Sequence, residues 1–513
     1  GGWHLTPHAI KLNERMRKIA IWPTDTGSGY LPWIAFETFK VIEALDLLGL
    51  HDVAEGGLNG YFLASQEERD VDSGFTEYSG YTWVHPTAFT DNDGYMCRKD
   101  AYDTRHPAGH GLIMLAAARH CRLVGNNVWL KEAAPGLKKA CEFSLRQNDH
   151  WNKEVPKESI FHGLLPPMQQ NDFYGESMRI FFPTSILYCA GALAVAELFV
   201  EERIDGGTEL LQASERWRED LRAKLKDAAG LHRVLKIDDG AYRRYLSYSP
   251  FSRNSRRFLK RYDILMECMH SSLLAANYGI MDRSDPFFQG IMDVVEERYL
   301  TNSYKNNPMP SAQGSVLESL ATKDAWFNLG GHGPQTGWNQ STDLYLLCDD
   351  VPLFLRALYN AYAVDIEPAN GYTFWEHPFR TGARDKVHGE AVFLERVRNM
   401  LVMEIGDTLW LARATPRVWL EQGRKIAVKN SPTYFGTVAY EIVSDVDNGK
   451  IDATVEMPAR KAPQEVALRF RHPKSALIKS VTVNGKPWTG FDKDKEAIIL
   501  KGLTGTVSVS AQY

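Results

Sequence analysis

The strongest constraint on the fold is the regular spacing of the helices that the sequence predicts. Up to about residue 404, apolar residues recur at intervals of three and four, which is typical of amphipathic and buried helices. Pro, Gly, Asn and Asp residues divide this region into twelve predicted helices. They span 7–18, 33–49, 52–66, 107–123, 127–147, 183–202, 207–228, 256–279, 285–299, 338–349, 352–366 and 385–403.

The connections between these helices are alternately long and short. The short ones are 50–51, 124–126, 203–206, 280–284 and 350–351. Short connections join antiparallel neighbours, and loops longer than about 12–15 residues are usually functional. The alternation therefore predicts six helical hairpins in an (α/α)6 toroid, with every long loop on one face. An α-solenoid with insertions is the alternative, although no residue pattern recurs at a fixed period.

Short alternating runs replace the helical pattern after about Gly406. Turn signals such as Asn484-Gly485 separate them. The pattern predicts a small antiparallel β-sandwich, and hence a catalytic toroid over 1–404 and a sandwich over 405–513, packed together because no flexible linker divides them. The predicted strands are 408–414, 425–428, 437–443, 451–455, 465–471, 480–483, 496–500 and 506–511.

The composition is that of a soluble globular protein. The 513 residues include 59 basic and 64 acidic side chains, and 44% are hydrophobic. A net charge of −5 without a basic block disfavours nucleic acid or an anionic membrane as a partner. The longest apolar run, Thr184–Ala196, is shorter than the roughly 18 residues of a membrane helix. The six cysteines lack CxxC spacing and are predicted to be free structural thiols.

The first residues, Gly-Gly-Trp, contain neither an initiator Met nor a signal-peptide pattern. We therefore expect the native N-terminus to lie upstream or to have been removed. A periplasmic or secreted location is the expectation for such a chain.

The long loops are crowded with aromatic, carboxylate, His and Arg side chains, whereas the helices are rich in Leu and Ala. Aromatic rings stack on the apolar faces of pyranoses while polar groups satisfy the hydroxyls, so this mixture favours a carbohydrate site. The alternative is that the aromatics only pack the loops into small local cores. The predicted substrate-binding residues are Tyr78, Trp83, His85, Asp91, Asp93, His162, Tyr174, Arg179, Glu318, His332, Trp338, Trp375 and His377.

Hydrolysis of a glycosidic bond requires two carboxyl groups, one as acid and one as base or nucleophile. The loop after the fifth predicted helix contains Asp172 and Glu176 beside Tyr174. The loop after the eleventh contains Glu376 as the single acid of its aromatic segment. Asp172 and Glu376 are the predicted pair, with Glu176 next. A surface or ion-paired carboxylate is the alternative for each of them.

No cofactor or metal is predicted. Asp91-Asn92-Asp93-Gly94 resembles the start of a calcium loop but lacks the later ligands. His106 and His110 share one helix face without the HExxH arrangement of zinc hydrolases. No glycine-rich phosphate motif follows a predicted strand, which disfavours a nucleotide.

The chain resembles the six-hairpin glycosidase superfamily, which includes glucoamylase-like and rhamnosidase-like hydrolases. The segments that carry the resemblance are FHGLLPP at 161–167, the helix at 109–143, PTYFG at 432–436, RHP at 471–473 and SVTVNGKPW at 480–488. The resemblance implies a general acid between the fifth and sixth helices, at Asp172 or Glu176, and a base between the last two, at Glu376. It also implies an inverting displacement, and a β-domain ahead of residue 1 that is missing from this chain.

These features predict an exo-acting glycoside hydrolase of plant or microbial polysaccharide side chains. A polysaccharide lyase is the first alternative, in which Tyr and His would act as base and acid and Arg or a metal would bind a uronate. Tyr174, His162, Arg179, His85 and Tyr78 would supply that chemistry. A sugar isomerase or epimerase and a non-catalytic carbohydrate-binding protein are the remaining alternatives.

Overall fold

The chain forms two compact units in a computed structural model. Unit 1 comprises Gly1–Ile42, Asp52–Ala118 and Asn127–Val392, and unit 2 comprises Glu43–His51, Arg119–Asn126 and Phe393–Tyr513. Within these limits the structure describes residues 35–59, 108–125, 128–169, 178–231, 234–236, 240–244, 246, 249–250, 272–295, 337, 339–367, 373–375 and 385–513.

Helices occupy most of the described part of unit 1, as the periodicity predicted. The predicted helix at 7–18 lies outside the described residues, and of the one at 256–279 only the end is described. The other predicted helices are confirmed where they are described. The helices are α1 (Ala35–Leu47), α2 (His51–Asn59), α3 (Gly109–Val124), α4 (Val128–Glu154), α5 (Phe182–Glu201), α6 (Gly207–Leu231), α7 (Leu274–Asn277), α8 (Pro286–Val295), α9 (Gln340–Leu347), α10 (Val351–Asp365) and α11 (Val387–Leu401).

Local chemistry sets the starts of these helices. The side chain of Asn339 accepts a hydrogen bond from the Ser341 amide at the start of α9, and Asp350 does the same for Leu353 at the start of α10. Such caps satisfy amide groups that have no partner within the helix. Pro183 lies in the first turn of α5, where the missing N–H costs nothing.

Helix α5 is the core helix of unit 1, and most of its residues are buried. It packs against α4 and α6. At Gly111 of α3, a Cβ atom would lie 2.3 Å from the Leu187 carbonyl oxygen, so the glycine permits a close approach of α3 and α5. Among the described helices, α5 alone has the length and hydropathy of a membrane span, and 83% of its apolar window is buried inside the protein. That burial is typical of a core helix.

Three two-stranded antiparallel hairpins accompany the helices of unit 1. They pair β1 (Met168–Gln169) with β2 (Met178–Arg179), β3 (Val234–Lys236) with β4 (Tyr242–Arg244), and β5 (Ile366–Glu367) with β6 (Thr373–Phe374). The sequence did not predict these hairpins, because strands of two or three residues leave no periodic signal.

Two β-sheets occupy the C-terminal part of unit 2. The six-stranded sheet has the order β14-β13-β17-β11-β10-β9, and the five-stranded sheet has the order β15-β16-β12-β8-β7. The strands are β7 (Val402–Ile405), β8 (Thr408–Leu411), β9 (Lys425–Ser431), β10 (Val438–Asp445), β11 (Lys450–Glu456), β12 (Glu465–Arg469), β13 (Ser480–Val483), β14 (Lys486–Trp488), β15 (Phe491–Asp492), β16 (Ala497–Leu500) and β17 (Thr506–Gln512).

All eight predicted strands are confirmed, but the prediction of purely antiparallel pairing is wrong for one pair. Strands β8 and β12 are parallel, with Thr408 opposite Glu465 and Leu411 opposite Leu468. Between them the chain passes through β9, β10 and β11 of the other sheet, and such a crossover brings it back in the same direction. Asn484 and Gly485 have φ values of 49° and 75°, as the predicted hairpin turn requires.

Side chains from both sheets form one hydrophobic core. Leu409, Leu468 and Ile498 of the five-stranded sheet belong to the same buried cluster as Ile442 and Val507 of the six-stranded sheet. Alternating side chains along the strands supply this core, and the intervening ones face outward.

Polar contacts join the separate segments of unit 2. The guanidinium of Arg460 donates to the carbonyl oxygens of Leu123 and Thr433, at 2.9 Å each. Arg119 pairs with Glu43 at 3.3 Å and with Glu395. These contacts link the early segments of unit 2 to its C-terminal part.

The cysteines that the structure describes are free, as predicted. Cys121, Cys141 and Cys189 are buried, and Cys348 is exposed. Burial raises the pKa of the Cys141 thiol to about 12, so this thiol is inert at neutral pH. Cys97 and Cys268 lie outside the described residues.

Candidate functional site

Few of the predicted site residues lie in the described part of the chain. His162 and Trp375 are described with their side chains, and Arg179 is described as part of the β2 backbone. Those outside the described residues are Tyr78, Trp83, His85, Asp91, Asp93, Asp172, Tyr174, Glu176, Glu318, His332, Trp338, Glu376 and His377. Their roles stay predictions. The structure describes residues on either side of the segments to which several of them belong.

The segment with Asp172 and Glu176 connects the two strands of the β1–β2 hairpin. Met168 lies opposite Arg179, and Gln169 lies opposite Met178. The described residues Gln169 and Met178, on either side of 170–177, are therefore adjacent. Buried Ile180 and the core helix α5 follow β2.

The FHGLLPP motif anchors the chain just before β1. The Gly163 amide donates to Asn152 Oδ1 at 2.7 Å, and Trp217 Nε1 donates to the Gly163 carbonyl at 2.8 Å. Asn148 Nδ2 donates to the Leu164 carbonyl at 2.9 Å. Gly163 has a φ of +79°, which favours glycine. The motif that carries the family resemblance thus fixes the approach to β1 between α4 and α6.

His162 precedes this anchor and is partly exposed. Its Nδ1 atom lies 3.5 Å from the Val155 carbonyl oxygen, which is a long contact. His162 precedes β1 in the chain, and its position relative to Asp172 stays a prediction.

Hydrogen bonds hold together the described residues on either side of the segment that contains Glu376. In the β5–β6 hairpin, Phe374 lies opposite Ile366. The Phe374 carbonyl accepts a hydrogen bond from the Lys386 amide at 2.9 Å. Glu390 Oε1 accepts hydrogen bonds from the Thr373 hydroxyl and, at 3.4 Å, from the Phe374 amide. The described residues Phe374 and Lys386, on either side of 376–384, therefore lie side by side.

A buried ion pair supports this anchor. Lys386 Nζ lies 2.8 Å from Glu37 Oε1, and the two residues are 1% and 8% exposed. Glu37 belongs to the first turn of α1, and Lys386 precedes α11. Sequence reasoning missed both residues, because 349 positions separate them and no local pattern links them.

Buried polar side chains recur in unit 1 where helices start after long connections. Such positions are rare in cores, because a buried polar group requires a hydrogen-bond partner. This signal was present in the sequence as polar residues at the start of otherwise apolar helices. The residues are Glu37 and Thr38 in α1, His110 in α3, Thr184 and Ser185 in α5, Asn339, Ser341 and Thr342 at α9, and Lys386 and His388 at α11.

His110 belongs to the core of unit 1. Its Nε2 atom lies 3.2 Å from the Ala140 carbonyl oxygen and 3.0 Å from Ser144 Oγ, and its ring contacts Phe143 and Tyr188. Burial lowers the pKa of His110 to about 3. The imidazole is therefore neutral near pH 7 and takes a packing role.

His110→Gln is expected to flatten the acid side of the stability profile. Below its ordinary pKa of 6.5, the unfolded state takes up a proton at His110, whereas the folded state does so only near pH 3. Stability is thus lost as pH falls through this window, by up to about 1.4 kcal/mol per pH unit. Urea unfolding between pH 4 and 7 measures the slope. His150→Gln, at an exposed site of α4, is the control, and parallel curves for wild type and His110→Gln would contradict the prediction.

Within the described residues, no group of three or more His, Cys, Asp and Glu side chains is arranged to hold a metal ion.

Comparison with known proteins finds structural neighbours only. No family model and no curated protein matches the chain. Among solved structures, the alpha-L-rhamnosidase from Dictyoglumus thermophilum has 11% identity and a TM-score of 0.44 over 94% of this chain. A glycoside hydrolase has 13% identity and a TM-score of 0.42 over 93% of this chain and 72% of its own. A wild-type glycosidase has 14% identity and a TM-score of 0.43 over 77% of this chain and 99% of its own.

The chain spans 46% of the length of the rhamnosidase. The three structures are named as an alpha-L-rhamnosidase, a glycoside hydrolase and a glycosidase. At this identity and TM-score, the function proposed below depends on the residues of the chain itself.

Proposed function

We propose that the protein is an exo-acting, inverting glycoside hydrolase that removes side-chain sugars from plant or microbial polysaccharides. In this proposal residues 1–404 form the six-hairpin toroid and 405–513 the β-sandwich. The observation that supports it is that the described strands next to both predicted catalytic segments are held by hydrogen bonds. Asp172 and Glu176 follow the fixed β1 strand, and Glu376 follows the fixed β6 strand. A site that depends on two carboxyl groups requires such fixed supports.

The proposed reaction is a single displacement. Asp172, protonated, donates its proton to the glycosidic oxygen as the bond to the anomeric carbon breaks. Glu376 removes a proton from a water molecule, which attacks the anomeric carbon from the opposite face. The glycosidic oxygen of the leaving group keeps the proton from Asp172, and the sugar that water attacked has inverted configuration at its anomeric carbon. Glu176 is the replacement for Asp172 as the acid.

The remaining predicted residues bind substrate in this proposal. Trp375 is partly exposed and directly precedes Glu376, so its indole would stack on the sugar at the cleavage point. His162 precedes β1 in the chain and would donate to a sugar hydroxyl. The aromatic and acidic residues of 78–93 would complete the walls of the pocket.

A polysaccharide panel tests the proposal. The purified protein is incubated with plant and microbial polysaccharides, and reducing sugar and ultraviolet absorbance are followed in the same wells. We expect reducing sugar without absorbance, because hydrolysis creates no double bond. NMR of the first product is expected to show inverted anomeric configuration. Growth of absorbance would instead indicate a lyase, and no change in either signal over the whole panel would contradict the proposed activity.

A further inference from the structure

The carboxylate of Glu390 serves an unusual number of groups from one short strand. Oε1 accepts from the Thr373 hydroxyl and from the Phe374 amide, 17 and 16 residues earlier in the chain. Glu390 belongs to the first turn of α11, where the helix dipole favours a negative side chain. Hydrogen bonds to a carboxylate in such a place are stronger than neutral ones.

Other contacts also hold Phe374, the second residue of β6. The Phe374 carbonyl accepts from the Lys386 amide at 2.9 Å. The Phe374 ring is 5% exposed and contacts Tyr362 edge to face, with 6.1 Å between ring centroids. The carbonyl and the side chain of Phe374 are thus fixed, and the bond from the Thr373 hydroxyl to Glu390 holds the residue before it. The peptide bond that joins Phe374 to the next residue therefore has little conformational freedom.

That next residue is Trp375, which is partly exposed beside this buried neighbour. An indole that stacks on a pyranose must keep one orientation, since every rotamer lost on binding costs affinity. We infer that Glu390 is a positioning residue that sets Trp375 as the stacking platform for a pyranose ring. This inference rests on the proposed hydrolase function and names the sugar contact of that site.

A double-mutant cycle tests whether Glu390 acts through Trp375. Glu390→Ala and Trp375→Ala are each expected to raise KM roughly ten-fold, because a misplaced or missing platform weakens sugar binding. If Glu390 acts through Trp375, the double variant should be no worse than the worse single variant. Glu390→Gln keeps an oxygen acceptor and should restore KM to within about three-fold of wild type. Thr373→Val removes one hydrogen bond and should lie between these values.

Glu395→Ala is the matched control. Glu395 lies on the same helix and is more buried than Glu390, and its carboxylate pairs with Arg119. This variant should lower the melting temperature without raising KM. Additive effects of Glu390→Ala and Trp375→Ala, or an equal rise of KM in Glu395→Ala, would overturn the inference.

A second measurement separates this inference from the proposed function. If wild-type protein hydrolyses no glycoside, the function fails, but hydrogen exchange of the peptide that contains 366–375 still reports on the anchor. Exchange of the Phe374 amide at least ten-fold faster in Glu390→Ala than in Glu395→Ala supports the positioning role. Equal exchange in the two variants refutes it.

Discussion

Glu376→Gln is expected to lower kcat by about 10²–10⁴-fold and leave the fold intact. Glutamine has nearly the shape of glutamate but does not take a proton from water, so the attacking nucleophile is no longer activated. Initial rates on the polysaccharide that gives the strongest signal in the panel measure the loss. Thermal unfolding, followed by circular dichroism, should show a melting temperature close to that of wild type.

The acid variant and an added nucleophile sharpen this test. Asp172→Asn should lose activity on natural substrates but retain much of it on aryl glycosides, whose leaving groups need no proton. Azide attacks without a general base, so it should restore turnover of Glu376→Gln and give an inverted glycosyl azide. Wild-type rates in Glu376→Gln would exclude this residue as the base. Azide rescue with retained configuration would exclude the inverting mechanism.

Lys386→Met is expected to reduce the free energy of unfolding of unit 1 by about 3–5 kcal/mol. The ammonium of Lys386 lies 2.8 Å from Glu37, and both residues are buried. Methionine nearly preserves the side-chain volume but leaves the Glu37 carboxylate buried without this ammonium. Urea unfolding at pH 7, followed by circular dichroism at helical wavelengths, measures the change.

Two further variants show whether the charge causes this loss. Glu37→Leu combined with Lys386→Met removes both charges and should recover much of the stability, because a buried pair and an apolar pair are often nearly equal. Lys450→Met breaks the exposed pair of Lys450 with Asp452, at 2.6 Å, and should have a far smaller effect. A double variant that is no more stable than Lys386→Met alone would contradict the explanation.

Features written in local sequence were predictable in this chain. Helices such as α3 and α5 repeat apolar residues at helical spacing, and Asn484-Gly485 marks its turn by residue type. The parallel pairing of β8 with β12 was not predictable, because it depends on which sheet the intervening strands join. Local periodicity carries no information about that choice.

The same distinction between local and tertiary features applies to the residues next to the candidate site. The clustering of aromatic and acidic residues leads to a hypothesis about which segments carry the catalytic acids, and that hypothesis stays a prediction. The sequence did not predict that Thr373 and Phe374 bond to Glu390, or that Lys386 pairs with Glu37. These contacts form between residues that no repeat or motif connects, and only tertiary packing brings them together.

Unit 2 is assembled from segments that lie far apart in the chain, and this has a consequence for synthesis of the protein. Its first segment, Glu43–His51, is synthesised long before its last strand, Thr506–Gln512. During synthesis this early segment emerges long before the strands of its own unit, and contacts of high sequence separation form slowly. A nascent chain that stops before residue 393 lacks Phe393–Tyr513, so Glu43–His51 has no partners from that part of unit 2 until those residues are synthesised.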